Sequence, residues 1–292
     1  YPLRRQRQMC IRDRGKSNLL MNGGVLDMNS KNETINGLSG TTGFVQNQAA
    51  STTATLTLGA GNATASFGGV LRNNSGTGGT LALVKIGTGI QTLTGANTHT
   101  GGTIISGGKL ALSGSLAGAV TASGGTVAPL GTPALSGNLT IAASGRLEAR
   151  INGTTIGSEY DQLTVGGSVT LAGALDVVIT TSPPSNATFV LINKTSAGPV
   201  SGNFSGLPEG ASLTVNGRNL IISYLGGDGN DVTLTAPAQL SAIEQWRFRY
   251  FVTIENAGDA ADGADPDGDG VTNLDEFNAG SDPVPHPYCT FT

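Results

Sequence analysis

Between Asp265 and Glu276 the chain reads Asp-Pro-Asp-Gly-Asp-Gly-Val-Thr-Asn-Leu-Asp-Glu, and its acids are spaced so that one ion could collect them. Asp265, Asp267 and Asp269 fill positions one, three and five of a twelve-residue loop, and Glu276 fills position twelve, where both its oxygens can bind. Gly270 at six permits a sharp turn, Val271 at seven offers its backbone carbonyl, and Asn273 stands at nine. Hard oxygen donors in that order suit Ca²⁺, which is the cofactor the loop predicts. The competing reading is an acidic turn without metal, but carboxylates crowded within a few ångströms repel one another strongly unless a divalent ion lies among them.

Other reactive side chains are sparse. His99 and His286 are the only histidines, and no Gly-x-Ser-x-Gly elbow, zinc spacing or phosphate loop occurs. Glu148 alternates with Arg146 and Arg150 along one predicted strand, and Glu159 shares parity with Asp161, a pattern that a polysaccharide lyase or glycosidase could use. A solvated strand face accounts for both better, so no catalytic residue is assigned. Gly226 to Asp231 resembles one calcium-binding nonapeptide, but Thr233 stands where a large apolar residue is wanted, and a glycine turn is the preferred reading.

The acidic loop needs elements to hold it. Thr272 to Ala279 predicts a short exiting helix stopped by Gly280, with Leu274 and Phe277 three apart to face a core. No helix is predicted immediately before the loop, because Glu255 to Ala264 is small, polar and glycine-containing. Further upstream, Ser241 and Glu244 form a capping box for the one long helix. Ile243, Trp246, Tyr250, Phe251 and Ile254 share its apolar face, which is expected to pack on the last coil of the preceding segment or on the calcium loop.

That preceding segment, Ser17 to about Ala236, alternates short strands with glycine turns. Leu81 to Lys85, Ile90 to Thr94, Thr103 to Ser106 and Lys109 to Leu112 are set off by Gly87-x-Gly89, Gly101-Gly102 and Gly107-Gly108. Thr, Val, Ile and Leu favour pleated, half-buried positions, while glycine supplies corners. An antiparallel sandwich and a parallel β-helix both fit this spacing. The small apolar set per strand and the low aromatic content, 5%, favour the solenoid.

Composition bounds the rest. The 292 residues include 45 glycines, and 16 Lys and Arg face 20 Asp and Glu, with six of the basic residues before Ser17. The remainder is acidic and lacks the basic stripe that a phosphate backbone requires, so nucleic acid is not a partner. No apolar run approaches the roughly 20 residues that span a bilayer. Cys10 and Cys289 lie at opposite extremes and predict no disulfide. Residues 1–14 carry five arginines and no glycine, and Met9 to Arg14 reads like translated library adapter, so the segment is set aside as non-native or a disordered tail.

Residues Gly79 to Leu112 resemble the autotransporter-associated β-strand repeat of bacterial passenger regions. The likeness rests on Leu83, Lys85, Gly87 and Gly89, on Leu93 to Asn97, on Gly101-Gly102-Thr103 and on Gly108-Lys109-Leu110. The family usually has Tyr where this chain has His99, a departure that touches packing. Ile35 to Gly40, Tyr160 to Leu175 and Ile222 to Val232 resemble further passenger sequence. The C-terminal loop and its helix resemble a single EF-hand-like or dockerin-like calcium module. The resemblance implies an all-β, right-handed parallel β-helix over 15–236 with a small helical calcium module over 237–292. It further implies a monomeric, non-catalytic, secreted or cell-surface structural or adhesive protein. Its expected partner is an extracellular polysaccharide or another surface protein.

Overall fold

The computed structural model describes residues 17–284 apart from 75, 77, 182 and 239. The 1–14 segment, both cysteines and His286 lie outside the described residues. The chain divides between Pro237 and Ala238 into two compact units.

Among the described residues the first unit holds 24 strands in three sheets, nearly all paired in parallel. The first sheet runs from Leu19–Asp27 through Leu38–Gln46, Ala65–Phe67, Ile90–Leu93, Lys109–Leu112, Thr126–Pro129 and Arg146–Arg150 to Ala174–Val178, with Val70–Leu71 beside Leu38–Gln46. The second sheet stacks Glu33–Ile35, Thr53–Leu58, Thr80–Lys85, Thr103–Ile105, Val120–Ala122, Leu139–Ile141, Val169–Leu171 and Ser201–Gly202. The third adds Ser115–Leu116, Ala134–Leu135, Leu163–Val165 and Thr188–Lys194. Successive strands of one sheet belong to successive coils, which is the stacking of a parallel β-helix rather than a sandwich.

Side-chain parity explains why the sequence winds this way. In the second sheet Leu56, Leu83, Thr103, Val120, Leu139 and Val169 fall in register and point inward, all buried. One residue along, Thr57, Val84, Ile104, Thr121, Thr140 and Thr170 form an outward column of β-branched side chains, which suits a pleated surface. Each leucine so buried contributes about 1.5–3 kcal/mol against exposure.

Corners need other chemistry, because a turning backbone leaves amides without a ladder partner. Asparagines supply it. Asn36 Oδ1 accepts from the Gly61 and Ala63 amides at 2.8 and 2.9 Å, Asn62 Oδ1 from Thr88 at 2.9 Å, and Asn138 Oδ1 from Ser168 at 2.9 Å, each clamping one coil to the next. Glycines let coils approach. Gly69, Gly95 and Gly114 stack on successive coils so closely that a Cβ on Gly95 would strike the Gly69 carbonyl oxygen, and one on Gly114 that of Gly95. Gly95→Ala should therefore cost about 2 kcal/mol in urea unfolding with an unchanged m value. A variant as stable as the parent would mean the corner is looser than its packing.

Parallel stacking does not extend to residue 236. Thr188–Lys194 pairs antiparallel with Asp231–Thr235, which pairs antiparallel with Arg218–Gly226, which in turn pairs with Ser212–Val215. The reason is local. Val215 and Arg218 face each other across Asn216-Gly217, both with positive φ (50° and 76°), the two-residue turn that closes a hairpin. Gly226 and Asp231 likewise flank a turn, the one expected of the glycine-rich hexapeptide. These hairpins pair with the last strand of the third sheet, and pairing or covering of this kind is how β proteins protect open edges.

In the second unit helix α1 spans Ala242–Phe251 and helix α2 spans Asn273–Ala279. The Ser241 hydroxyl accepts from the Glu244 amide, and the Glu244 carboxylate accepts from the Ser241 amide, so the capping box forms as the sequence predicts. Trp246 packs edge-on to Tyr250, Phe251 and Phe277 with ring centroids 5.3, 6.0 and 6.0 Å apart, joining the two helices. Ile254, placed on the same face by spacing, lies beyond the helix end and is exposed. Helix α1 closes on Val252 at φ 57°, a left-handed conformation that costs an L-residue about 1–2 kcal/mol. Val252 is 78% exposed and so gains little from packing. Val252→Gly should raise stability by about 1 kcal/mol, read as a shift of the unfolding midpoint of this unit. An unchanged or lower midpoint would show that the valine side chain contributes something its exposure hides.

Candidate metal centre

The loop from Asp265 builds itself with its own carboxylates. Asp265 Oδ1 accepts from the Gly268 and Asp269 amides at 2.9 and 3.2 Å, and its Oδ2 from Gly270 at 2.9 Å. Asp267 Oδ1 accepts from Asp269 at 3.2 Å, and Asp269 Oδ1 from Val271 at 2.8 Å. Such side-chain-to-amide bonds curl the backbone, and Gly268 and Gly270 take the positive φ values, 74° and 91°, that the curl demands. The outcome is one carboxylate oxygen each from Asp265, Asp267 and Asp269, all within 4.8 Å of one another. Oxygens bound 2.3–2.6 Å from a common Ca²⁺ lie at most about 5 Å apart, so this spacing fits the ion.

Helix α2 carries the acid at position twelve of the loop. The Thr272 hydroxyl caps it by accepting from Asp275, and Gly280 ends it in the left-handed region at φ 73°. Glu276 is only 1% exposed, and its Oε2 has no hydrogen-bond partner. Burial, and then repulsion from Asp267, Asp269 and Asp265, pushes its carboxyl above the usual glutamate range. A divalent cation would reverse that balance, because opposite charge favours the ionised form.

Asn273, at position nine of the loop, also braces the helix. It is 1% exposed, and its Nδ2 donates to the Asp259 and Ala261 carbonyls at 2.7 and 2.8 Å, tying α2 back to the segment before the loop. Its Oδ1 has no partner. Val271 donates its amide to Asp269, and its side chain is partly exposed. Of the two residues expected to face a core, Phe277 is half-buried and packs on Trp246, whereas Leu274 is exposed; the buried positions of α2 are Asn273 and Glu276. The buried polar side of α2 faces the backbone of residues 259–261, to which Asn273 donates.

Arg247 is the residue that sequence reasoning missed. It is 5% exposed in the middle of α1, donates from Nε to the Ala260 carbonyl at 3.1 Å, and pairs with Asp262. Its signal was its place four residues after Ile243 and three before Tyr250, on the apolar face.

The charged residues weighed for catalysis have structural partners. Lys109 pairs with Glu148 and Arg146 with Asp176 across coils, and Arg150 pairs with the buried Asp161. Glu159 accepts from the Thr155 amide within its own loop.

The first unit is thus a column of stacked parallel strands, closed by hairpins and followed by a loop-and-helix unit rich in acid. A family model described as passenger-associated-transport-repeat matches residues 83–112. Those residues contain the strands at Ile90–Leu93, Thr103–Ile105 and Lys109–Leu112; Lys109–Leu112 stacks on Ile90–Leu93 in the first sheet, and Thr103–Ile105 belongs to the second. A repeat of this kind marks bacterial surface or secreted passenger regions, which are generally non-catalytic. No curated protein matches the chain. No described helix is long and apolar enough to cross a membrane.

Proposed function

We propose that the chain is a non-catalytic structural or adhesive protein of the bacterial surface, in which 15–236 form a right-handed β-solenoid closed by antiparallel hairpins and the C-terminal unit, 237–292, binds one Ca²⁺. The observation that carries the reading is the match of residues 83–112 to the passenger repeat at a place where the strands stack in register. A stiff column holds surface away from the cell, and an extracellular polysaccharide or another surface protein is the partner it would meet. Asp265, Asp267, Asp269, the Val271 carbonyl, Asn273 and Glu276 are the proposed calcium ligands. Support comes from the 4.8 Å oxygen cluster and from the unpartnered buried Oε2 of Glu276.

Two experiments test this. One Ca²⁺ per chain should bind with a dissociation constant of about 10⁻⁴ to 10⁻³ M, as extracellular modules do. At calcium ~100 times that constant the bound unit should gain about 2.7 kcal/mol. Asp267→Ala and Glu276→Ala should abolish binding, and a response that survives both would place the ion elsewhere. The wild-type chain should release neither reducing ends nor unsaturated products from a polysaccharide panel. Release abolished by Glu148→Ala would replace the surface reading with that of a β-helix lyase or glycosidase.

A further inference from the structure

One edge of the first sheet lacks the usual guards. Leu19–Asp27 pairs on one side with Leu38–Gln46, and among the described residues no strand pairs with its other side. An open edge nine residues long presents a row of amides and carbonyls to any second strand, and proteins blunt such edges with lysine, proline or inward charges. This strand carries neither lysine nor proline, and its single charge is Asp27 at the end. Leu20 and Val25 stand on its outer face, 68% and 44% exposed, while Leu19 and Leu26 are partly buried against the core. Gly23 and Gly24, at the centre, have positive φ, and a Cβ on either would meet nothing within 4 Å, so a second backbone can come close. The opposite edge of the sheet, Ala174–Val178, is guarded, because Asp176 at its centre would face a like charge if that strand paired with itself.

We propose that two copies of the chain join through this edge, Leu19–Asp27 pairing antiparallel with the same strand of a second copy about a two-fold axis, in place of the monomer that the resemblance implies. The alternation of faces fixes the register. When Leu20 of one copy stands opposite Val25 of the other, Leu19 stands opposite Leu26, so outward meets outward and inward meets inward at both ends of the strand. Asp27 then faces Asn18 instead of a like charge. A slip of one residue would set the inward Leu19 against the outward Val25 and lose the match. The pairing also prolongs columns already present in the molecule. Val25, Phe44 and Val70 lie in register on the outer face, and Leu20 of the second copy adds a fourth apolar side chain to them. Leu26, Val45 and Leu71 form the inward column beside it, which Leu19 of the second copy extends. A contact of this kind is its own complement, so assembly stops at two copies.

Sedimentation of the full chain over a concentration series should reach twice the chain mass, and amide exchange in residues 19–27 should slow as concentration rises. A two-fold axis counts every substitution twice, so Leu20→Lys alone should weaken the dimer about 100-fold, and so should Val25→Glu alone. The double variant, Leu20→Lys with Val25→Glu, should restore it, since each lysine then faces a glutamate of the other copy. Both positions are exposed, so the urea midpoint of the monomeric single variants should stay at that of the parent. A chain that sediments as a monomer at every concentration, with exchange in 19–27 unchanged, would overturn the proposal. A dimer that either single variant leaves intact, or that the double variant fails to restore, would overturn it equally by placing the contact elsewhere.

Discussion

Lys85→Met should cost the solenoid about 3 kcal/mol, measured as a fall in the urea midpoint at constant m value. Lys85 stands in the inward column of the second sheet, between Leu58 on one coil and Ile105 on the next, and is fully buried. Its stem packs as an apolar chain would. Its Nζ turns to the corner and donates to the carbonyls of Ile86 at 2.6 Å, Gly107 at 3.3 Å and Gly87 at 3.4 Å. Burial pushes the ammonium below the usual lysine range, so those carbonyls must offset a desolvation penalty. Methionine fills the stem's volume but leaves three half-buried acceptors without the donor, and the loss falls on that difference. Lys85→Ala should cost more, about 4 kcal/mol, because a cavity is added to the orphaned carbonyls. If the methionine variant stayed within about 1 kcal/mol of the parent, the carbonyls would be satisfied by something other than the ammonium.

Acid should weaken the same region through His99. The imidazole is fully buried, its Nε2 is 2.9 Å from the Thr103 hydroxyl, and its Nδ1 has no partner. Burial, only partly opposed by a backbone bond to Leu71, pushes its pKa from 6.5 down to about 4. The unfolded chain therefore takes up a proton between these values that the folded chain refuses. Stability from this group is fully present above pH 6.5 and is lost as pH falls towards 4, by about 3 kcal/mol over the window. His99→Phe should flatten that part of the curve. Carboxylates titrate in both proteins, so the difference between the two stability profiles isolates the histidine. Profiles that run parallel from pH 7 to 4 would show that the ring reaches water when it charges.

Lys85 shows what the sequence could and could not convey. Period-two alternation located the strands around Lys85, and the glycine pairs located their corners, because both signals depend on a few neighbouring residues. A lysine read alone belongs on the surface. Only stacking reveals that Lys85, and likewise Lys194 with its Nζ on the carbonyls of Ser196, Ala197 and Gly198, ends an inward column beside converging acceptors. The hairpins that end the solenoid were legible in principle, since Asn216-Gly217 sits between alternating apolar residues. Parallel and antiparallel strands share one alternation, so pattern alone left the direction of pairing open there.

The acidic loop was the easiest feature to read, because its geometry is carried by twelve consecutive residues. Its support was harder. Arg247 and Asn273 look like surface residues of two amphipathic helices, and only in three dimensions do both reach the backbone at 259–261. The apolar spacing of Leu274 with Phe277 held only for Phe277, which packs on Trp246, while the fully buried positions of α2 are polar.

Neighbouring coils are of unequal length. From Ile104 to Thr121 one circuit takes 17 residues, and from Thr140 to Thr170 it takes 30, yet both pairs sit in register within the same sheet. Surplus chain is therefore shed sideways at bends, and the columns never lose phase. A gene encoding such a protein can gain or lose codons at those bends at small thermodynamic expense, because lengthening a flexible connection costs only logarithmically. The outer surface is free to diversify while the stacked interior stays the same.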